Sequence, residues 1–401
     1  MLGMRSVVPF LAPLVLVACG TDDASAPTRG GSTSSSSSSG GPPGVSDAST
    51  DASRGDAGSD AGPPAPLYGF VGTSGGTIRT YAVDEASGAW TFKAESNAGG
   101  SPSFLAFDPS RRRVVATDEN AAGGLVRSFT FDPGSGSLTE VNSKATGGAG
   151  TTHVSLDPSG RWVFAANYTG GTMAVLPIDA SGTLGAATDT RAPGAMTHWA
   201  GTDPAGTHAF AVSLGGNLVA QYGLDTTTGK LTDNGSASPP ASSGPRHLAF
   251  HPTQGWAYLI NETAITVTAF DYDKASGKLT AKQTLSALPG GQSSAGVSGA
   301  EIVVHPSGKW VYASTRIYDS IAHFSVNAAD GKLTLVANAP TGGHRPRSFA
   351  MAPEGTLVFA GNQDVNQVVG FRVDATSGAL TSIGKVADVT GPTFVGLARI
   401  P

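Results

Sequence analysis

The sequence predicts an all-β fold, a seven-bladed β-propeller whose ring is closed by the C-terminal strand joining the N-terminal blade. Two turn markers recur along residues 67–401, and short runs of β-branched and aromatic residues, such as "RWVFAAN" and "KWVYAS", lie between them. No segment shows a sustained 3.6-residue apolar period, and 55 of the 401 residues are glycine. Both observations favour strands and turns over helices.

The first marker is a turn in which Asp is followed by Ser-Gly-x-Leu or a close variant. Its glycines are spaced by 46 to 54 residues and are Gly88, Gly136, Gly182, Gly229, Gly277, Gly331 and Gly378. The second marker resembles "DPSGRW" and carries Pro109, Pro158, Pro204, Pro252, Pro306 and Pro353. Units of about 48 residues with four short strands are typical of propeller blades.

The two ends of the repeat region predict how the ring closes. The first segment, "LYGFVGTSGGTIRTYAV", supplies a second, third and fourth strand but no first strand. The last segment, "GPTFVGLAR", matches a first strand and has no second. We therefore expect the last strand to complete the first blade, whereas a solenoid would need capping repeats.

The N-terminus has the features of an export signal. Residues 1–19 combine Arg5, an apolar stretch and the ending Leu-Val-Ala-Cys, which predicts a lipoprotein signal peptide with Cys19 as the lipidated residue. An ordinary signal peptide with an incidental cysteine is the alternative. Residues 20–66 are rich in Ser, Gly, Pro and Asp and are predicted to form a disordered tether. We expect an exported lipoprotein on the periplasmic or cell-surface side, and residues 67–401 as the propeller domain.

Charge and composition exclude several partners. The net charge is −5, of which the tether contributes −4 and Arg5 contributes +1, so the propeller carries about −2. A near-neutral domain argues against nucleic-acid binding. No second apolar stretch of about 18 residues occurs, so membrane contact is expected only through the lipid anchor. Cys19 is the only cysteine, so no intramolecular disulfide forms, and we expect a monomer.

Strand directions place two columns of residues on one rim of the ring. In each repeat the innermost strand enters five or six residues before the turn proline, and the second strand ends nine or ten residues after it. Because the two strands are antiparallel neighbours, this entrance and this exit share a rim. The columns hold Arg246, Glu262, Arg316, His198, His247, His153, Glu301, Arg347 and Tyr168.

Cations at strand entrances predict a pocket for an anionic ligand in the central channel. Structural alternatives exist: a solvated ring of ion pairs would also tolerate Arg246, Glu262 and Arg316. His153 could be satisfied by a neighbouring carbonyl, and Glu301 and Arg347 could only neutralise nearby charge. No zinc-type, P-loop or H-E-x-x-H motif occurs, so no cofactor and no metal are predicted. Calcium held by channel acids remains open.

Several stretches resemble the seven-bladed lactonase family, which includes bacterial 6-phosphogluconolactonase and the fungal carboxy-muconate lactonizing enzyme. They include "GPRHLAFHPTQGWAYLINETAITVTAFDYD" and "SGAEIVVHPSGKWVYASTRIYDSIAHFSV", and the resemblance covers residues 67–401. It implies that His198, Arg246, Glu262 and Arg316 surround the substrate. Thr197 stands where the family often has Pro, and "STRIYDS" replaces Asn-Arg-Gly-His-Asp, with Tyr318 near the place of a family histidine.

The resemblance implies a metal-independent hydrolase of a small anionic lactone. Arg246 and Arg316 are expected to clamp the anion and polarise the carbonyl, and Glu262 to activate water. His198 or His247 is expected to shuttle the proton, with His153, Glu301, Arg347 and Tyr168 as further substrate-binding groups. A lactone-forming cycloisomerase and a non-catalytic surface propeller that binds a ligand or protein are the alternatives.

Overall fold

The computed structural model describes residues 64–401, which form seven four-stranded antiparallel sheets. The prediction of an all-β, seven-bladed propeller is confirmed. Cys19, the predicted signal peptide and the predicted tether as far as residue 63 lie outside the described residues. Within residues 64–401 no helix has the length and apolar character needed to cross a membrane.

The first four blades each extend from an innermost strand at the channel to an outermost strand. Blade 1 consists of β28 (Pro392–Arg399), β1 (Leu67–Thr73), β2 (Thr77–Val83) and β3 (Trp90–Asn97). Blade 2 consists of β4 (Leu105–Asp108), β5 (Arg113–Asp118), β6 (Leu125–Phe131) and β7 (Leu138–Ala145), with a 3-10 turn at Pro109–Arg111. Blade 3 consists of β8 (Thr151–Leu156), β9 (Trp162–Asn167), β10 (Thr172–Pro177) and β11 (Asp189–Arg191). Blade 4 consists of β12 (Thr197–Thr202), β13 (His208–Ser213), β14 (Leu218–Leu224) and β15 (Leu231–Ala237).

The remaining three blades repeat this order. Blade 5 consists of β16 (Pro245–Phe250), β17 (Trp256–Asn261), β18 (Thr266–Asp273) and β19 (Lys278–Ser286). Blade 6 consists of β20 (Ser298–Val304), β21 (Trp310–Arg316), β22 (Ser320–Val326) and β23 (Leu333–Pro340). Blade 7 consists of β24 (Pro346–Met351), β25 (Leu357–Asn362), β26 (Gln367–Val373) and β27 (Leu380–Asp388), with a 3-10 turn at Gln363–Val365.

The ring closes by pairing the two ends of the propeller. Strand β28 runs antiparallel to β1, with Leu67 opposite Arg399 and Val71 opposite Val395. Innermost strands of successive blades contact one another all the way round, including β28 with β4 and β24 with β28. The predicted closure by the C-terminal strand is therefore confirmed.

The hydrophobic core lies between the blades rather than in one centre. Each of the seven blade interfaces holds its own cluster of buried apolar side chains. Between blades 1 and 2, for example, Phe70 packs against Phe131 with ring centroids 5.2 Å apart. Alternating strand residues face the two neighbouring blades, which explains why these strands read as nearly continuous apolar runs.

The repeated Ser-Gly turns are structural and lie on the rim opposite the strand entrances. Gly331 has φ +69°, and a Cβ atom there would lie 2.3 Å from the Trp256 ring of the preceding blade. Glycine is needed for both the left-handed backbone and the close approach. These turns therefore serve the packing of blade on blade and leave the other rim free to vary.

Candidate active site

β-bulges at the strand entrances aim side chains into the channel. Strands β8, β12, β16, β24 and β28 each carry one residue without a partner on the neighbouring strand, namely Thr152, His198, Arg246, Arg347 and Thr393. In β20 two residues, Ala300 and Glu301, lie opposite one. A bulge redirects the extra side chain away from the regular alternation of the strand. Consecutive residues can therefore serve two different layers of the channel.

The upper layer forms a small charged pocket. Its volume is about 170 Å³. Bulge residues and the ends of the second strands line it in equal number: Thr152, His198, Arg246 and Arg347 from the bulges, and Glu119, Tyr168, Glu262 and Arg316 from the strand ends. All four residues that the family resemblance implies, His198, Arg246, Glu262 and Arg316, are thus brought together.

Two arginines hold one oxygen of Glu262. Arg246 Nε lies 3.0 Å and Arg316 Nη2 lies 2.9 Å from Glu262 Oε2. The N–H bonds are not aligned with that oxygen, so these contacts are charge–charge contacts. Within residues 64–401 the Nε atoms of both arginines are buried without a hydrogen-bond partner. The guanidinium groups are fixed instead by backbone carbonyls: Arg246 donates to Ala300 O at 2.6 Å and Arg316 to Gly299 O at 3.0 Å.

The pocket keeps its positive charge at neutral pH. Burial, reinforced by the nearby charge of Arg316, lowers the pKa of Arg246 to about 10. Burial likewise lowers the pKa of Arg316. Both remain protonated at pH 7, and with Arg347 they place three positive charges against the carboxylates of Glu119 and Glu262. The pocket is therefore suited to an anion.

Tyr168 and Arg347 complete the wall of the pocket. The Tyr168 ring packs edge-on against His198 with ring centroids 5.5 Å apart. Burial raises the pKa of Tyr168, so its hydroxyl is a neutral hydrogen-bond donor at pH 7. Arg347 lies 3.6 Å from Glu119, a loose contact that leaves its guanidinium available.

The lower layer forms the floor of the pocket. His153, His247 and Glu301 are only 2%, 2% and 8% exposed and do not line the pocket. Aromatic rings surround them: Phe104 lies 4.1 Å from His153 and 5.6 Å from His247 between ring centroids. Trp199 and Phe394 add to this apolar plug.

A chain of hydrogen bonds links the floor to the wall. Glu301 Oε1 lies 2.8 Å from His247 Nδ1, and His247 Nε2 lies 3.2 Å from His198 Nδ1. Burial, followed by the charge of Arg246, holds the pKa of both imidazoles well below the usual value, so both are neutral at pH 7. Burial raises the pKa of Glu301 to about 7.

The structure thus sorts the predicted residues into two layers that the sequence presents as one. His198, Arg246, Glu262, Arg316, Arg347 and Tyr168 line the pocket, whereas His153, His247 and Glu301 lie beneath it. Two further lining residues, Thr152 and Glu119, are not among the predicted site residues, although both lie at the same strand entrances and exits. The signal for Thr152 is its place in the same bulge column as His198 and Arg246.

A larger, open groove of about 600 Å³ adjoins the charged pocket at Tyr168. Its other lining residues are uncharged, and most are small: Thr169, Gly170, Gly171, Ala192, Gly194, Ala195 and Met196. Within residues 64–401 no three His, Cys, Asp or Glu side chains cluster closely enough to hold a metal ion.

Comparison with known proteins finds related chains. The family model described as "Lactonase, 7-bladed beta-propeller" matches residues 68–397. A 6-phosphogluconolactonase of Bacillus subtilis is 31% identical over 293 residues, which is 70% of this chain and 84% of that protein. A 6-phosphogluconolactonase of Pectobacterium carotovorum is 32% identical over 200 residues, which is 49% of this chain and 59% of that protein.

Solved structures agree over the whole propeller. A putative 6-phosphogluconolactonase of Bacteroides uniformis superposes with a TM-score of 0.77 and 30% identity, over 83% of this chain and 99% of that one. A periplasmic gluconolactonase of Pseudomonas aeruginosa superposes with a TM-score of 0.76 and 29% identity, over 84% of this chain and 100% of that one.

Proposed function

Because this chain belongs to the lactonase family of seven-bladed β-propellers and is a lactone hydrolase, we propose that the charged pocket is its active site and a small anionic lactone its substrate. The convergence of Arg246, Arg316 and Arg347 on one cavity of about 170 Å³ is the observation that carries this proposal. That volume is below the roughly 300–1,000 Å³ of pockets for drug-sized ligands, which favours a compact substrate such as a sugar lactone.

The arginines supply binding and polarisation. Arg246 and Arg316 both line the pocket, and charge-assisted hydrogen bonds from guanidinium to carboxylate or phosphate are among the stronger polar contacts. The same positive charge stabilises the oxyanion that forms when water adds to the lactone carbonyl. Arg246 and Arg316 therefore hold the substrate anion and the developing oxyanion.

Glu262 and His198 move the protons of the reaction. Both arginines hold Glu262 Oε2, and Glu262 Oε1 makes no hydrogen bond within the described residues. We assign Oε1 as the general base that takes a proton from water. His198 is neutral and lines the pocket, and its Nε2 makes no hydrogen bond within the described part of the chain, so it delivers a proton to the ring oxygen as the C–O bond breaks.

The other predicted residues take secondary roles. Tyr168 and Arg347 bind substrate from the wall of the pocket. His153, His247 and Glu301 support the substrate site from the floor of the pocket.

The location of the protein is proposed from the N-terminus together with one neighbour. The Pseudomonas aeruginosa structure is described as periplasmic. We propose that residues 1–19 are a lipoprotein signal peptide, that Cys19 is lipidated and that residues 20–66 tether a monomeric propeller, 67–401, to a bacterial membrane on its periplasmic or cell-surface side. An exported enzyme meets sugar lactones outside the cytoplasm, which favours a substrate other than a cytoplasmic phosphosugar.

Steady-state kinetics on aldarolactones, which keep one free carboxylate, and on phosphorylated aldonolactones test the assignment, with neutral aldonolactones for comparison. Arg246→Ala and Arg316→Ala should each lower kcat/KM by about 10- to 100-fold, because a charge-assisted contact contributes about 1.5–3 kcal/mol. Glu262→Gln preserves shape but removes the base, and should lower kcat by about 10²–10⁴-fold.

Matched controls lie on the protein surface. Arg161→Ala and Glu140→Gln change exposed residues outside the pocket and should leave kcat/KM unchanged. Full activity of Glu262→Gln would remove Glu262 as the base. Net lactone formation from the hydroxy acid would favour the cycloisomerase. Ligand binding that depends on both arginines without any turnover would favour a binding propeller.

A further inference from the structure

Behind the pocket lies a continuous line of proton-carrying groups. It runs from Glu301 through His247 to His198, whose Nε2 makes no hydrogen bond within residues 64–401 and opens to the pocket. Only the outer end of this line touches the pocket. Substrate contact accounts for His198 but not for His247 and Glu301, which do not line the pocket.

Hydrogen bonding couples the states of the three groups. An ionised Glu301 accepts from His247 Nδ1–H, so His247 Nε2 must accept from His198 Nδ1–H, and His198 Nε2 is left as an acceptor. A protonated Glu301 donates to His247 Nδ1, which reverses both bonds and leaves His198 Nε2–H as a donor. The chain therefore has two neutral arrangements, and one proton on Glu301 selects between them.

The electrostatic surroundings disfavour charge on the imidazoles. His247 faces Arg246, Arg316 and Arg347, and the His153 ring of β8 lies 5.3 Å from it between ring centroids. His198 faces Arg246, Arg347 and Tyr168. Glu301 faces Arg246 and His247 of β16 and His153 of β8. Burial, followed by these positive charges, makes an imidazolium costly at either ring. A shift of protons that keeps both rings neutral avoids that cost.

We propose that Glu301, His247 and His198 form a proton relay that supplies the proton for the leaving oxygen of the lactone. This assignment rests on the proposed function. As the C–O bond breaks, His198 Nε2–H gives its proton to the departing alkoxide, His247 Nε2–H gives its proton to His198 Nδ1, and Glu301 gives its proton to His247 Nδ1. Glu301 ends as a carboxylate and both imidazoles end neutral. The proton that Glu262 took from water then returns along the same line to Glu301.

Tautomer measurement on the unmodified protein tests the relay without any substrate. Nitrogen-15 NMR of histidine-labelled protein distinguishes a protonated from an unprotonated ring nitrogen. Since burial raises the pKa of Glu301 to about 7, His198 should carry its proton on Nε2 below that pH and on Nδ1 above it. A His198 tautomer that does not change between about pH 5.5 and 8.5, or an imidazolium at either ring, would overturn the proposal.

Glu301→Gln gives the second test. The backbone N–H of Ile302 donates to Glu301 Oε1 at 3.0 Å, so the amide oxygen of glutamine takes that position and keeps His247 Nδ1–H bound to it. His198 is then fixed with Nε2 as an acceptor. We expect kcat to fall by about 10²-fold with KM changed less than about threefold. Wild-type kcat should decline as the pH rises through about 7, because Glu301 then loses the proton that the relay delivers. This decline should be absent from Glu301→Gln.

The control is His323→Phe, which replaces a buried histidine of blade 6 whose two ring nitrogens find no hydrogen-bond partner among the described residues. This variant should retain wild-type kcat and pH dependence. A Glu301→Gln protein with the wild-type pH profile would refute the relay. Absence of lactone turnover in wild type would instead refute the proposed function, and the NMR titration would still decide the relay.

Discussion

At the scale of single residues, the channel floor links catalysis to stability. His153, His198 and His247 are buried and neutral because burial holds the pKa of each well below its ordinary value of 6.5. The unfolded chain protonates these histidines as the pH falls through about 6.5, while the folded chain does not. Stability is therefore lost as the pH falls. Glu301 opposes this trend, because its pKa of about 7 lies above its ordinary value of 4.5 and the folded state holds one extra proton between them.

The balance of these pKa shifts predicts that the propeller already loses stability in mildly acidic solution. Three histidines against one carboxyl group leave a difference of about two protons, so these four groups should lower the free energy of unfolding by up to about 2.7 kcal/mol per pH unit between about pH 6 and 5. The lowered pKa values of His251, His305 and His323 add to this slope. Urea denaturation at several pH values measures this slope. His153→Phe, which fits among the neighbouring aromatic rings, removes about one proton from the difference and should lower the slope by about 1.4 kcal/mol per pH unit. An unchanged slope in that variant would show that His153 titrates normally in the folded state.

At the scale of strands, the sequence predicts which residues reach the rim but not which of them line the pocket. The repeat frame predicts which residues reach the rim, because strand entrance and exit follow from the turn positions. It does not predict that Arg246 points into the pocket while His247, its neighbour, points to the floor. That separation arises from the bulge in β16, where Arg246 has no partner on β17. A bulge depends on the register between strands, which no single strand sequence carries.

The same limit applies to the contacts of charged groups. Arg316 and Glu262 occupy equivalent strand ends in blades 6 and 5, so the sequence predicts that they share the rim. Their separation of 2.9 Å depends on the packing of β20 against β16 and β17. The Glu301–His247–His198 chain likewise joins three blades, and a side-chain hydrogen bond between blades leaves no periodic signal in the sequence.

The closing strand gives a prediction at the same scale. Deleting residues 391–401 removes β28, which exposes the edge of β1 and opens the ring between blades 7 and 1. We expect the cooperative thermal transition of the propeller to be lost, because blade 1 loses its innermost strand and two blade interfaces lose packing. Differential scanning calorimetry is the measurement. Deleting residues 1–60 is the matched control and should leave the transition in place, and a C-terminal truncation that unfolds within a few degrees of wild type would contradict the closure argument.

At the scale of the whole molecule, the proposed membrane attachment can be tested separately from the propeller. If Cys19 carries the lipid, Cys19→Ser should move the protein from the detergent phase to the aqueous phase in Triton X-114 partitioning. The thermal transition of the propeller should stay unchanged, because the substitution lies outside the residues that form the blades. Radiolabelled palmitate incorporation provides an independent readout. A Cys19→Ser protein that still partitions with detergent would contradict the lipoprotein assignment.

The pairing of β28 with β1 also dictates when the molecule can finish folding. Thr393 Oγ1 donates to Gly72 O across 321 positions of the chain, so the ribosome must complete nearly the whole polypeptide before blade 1 can form. Until then the edge of β1 presents unpaired N–H and C=O groups, and contacts of such long sequence separation form late. The nascent chain consequently stays open throughout synthesis. If the chain is exported as proposed, this delay favours translocation, because the ring can close after the chain has crossed the membrane.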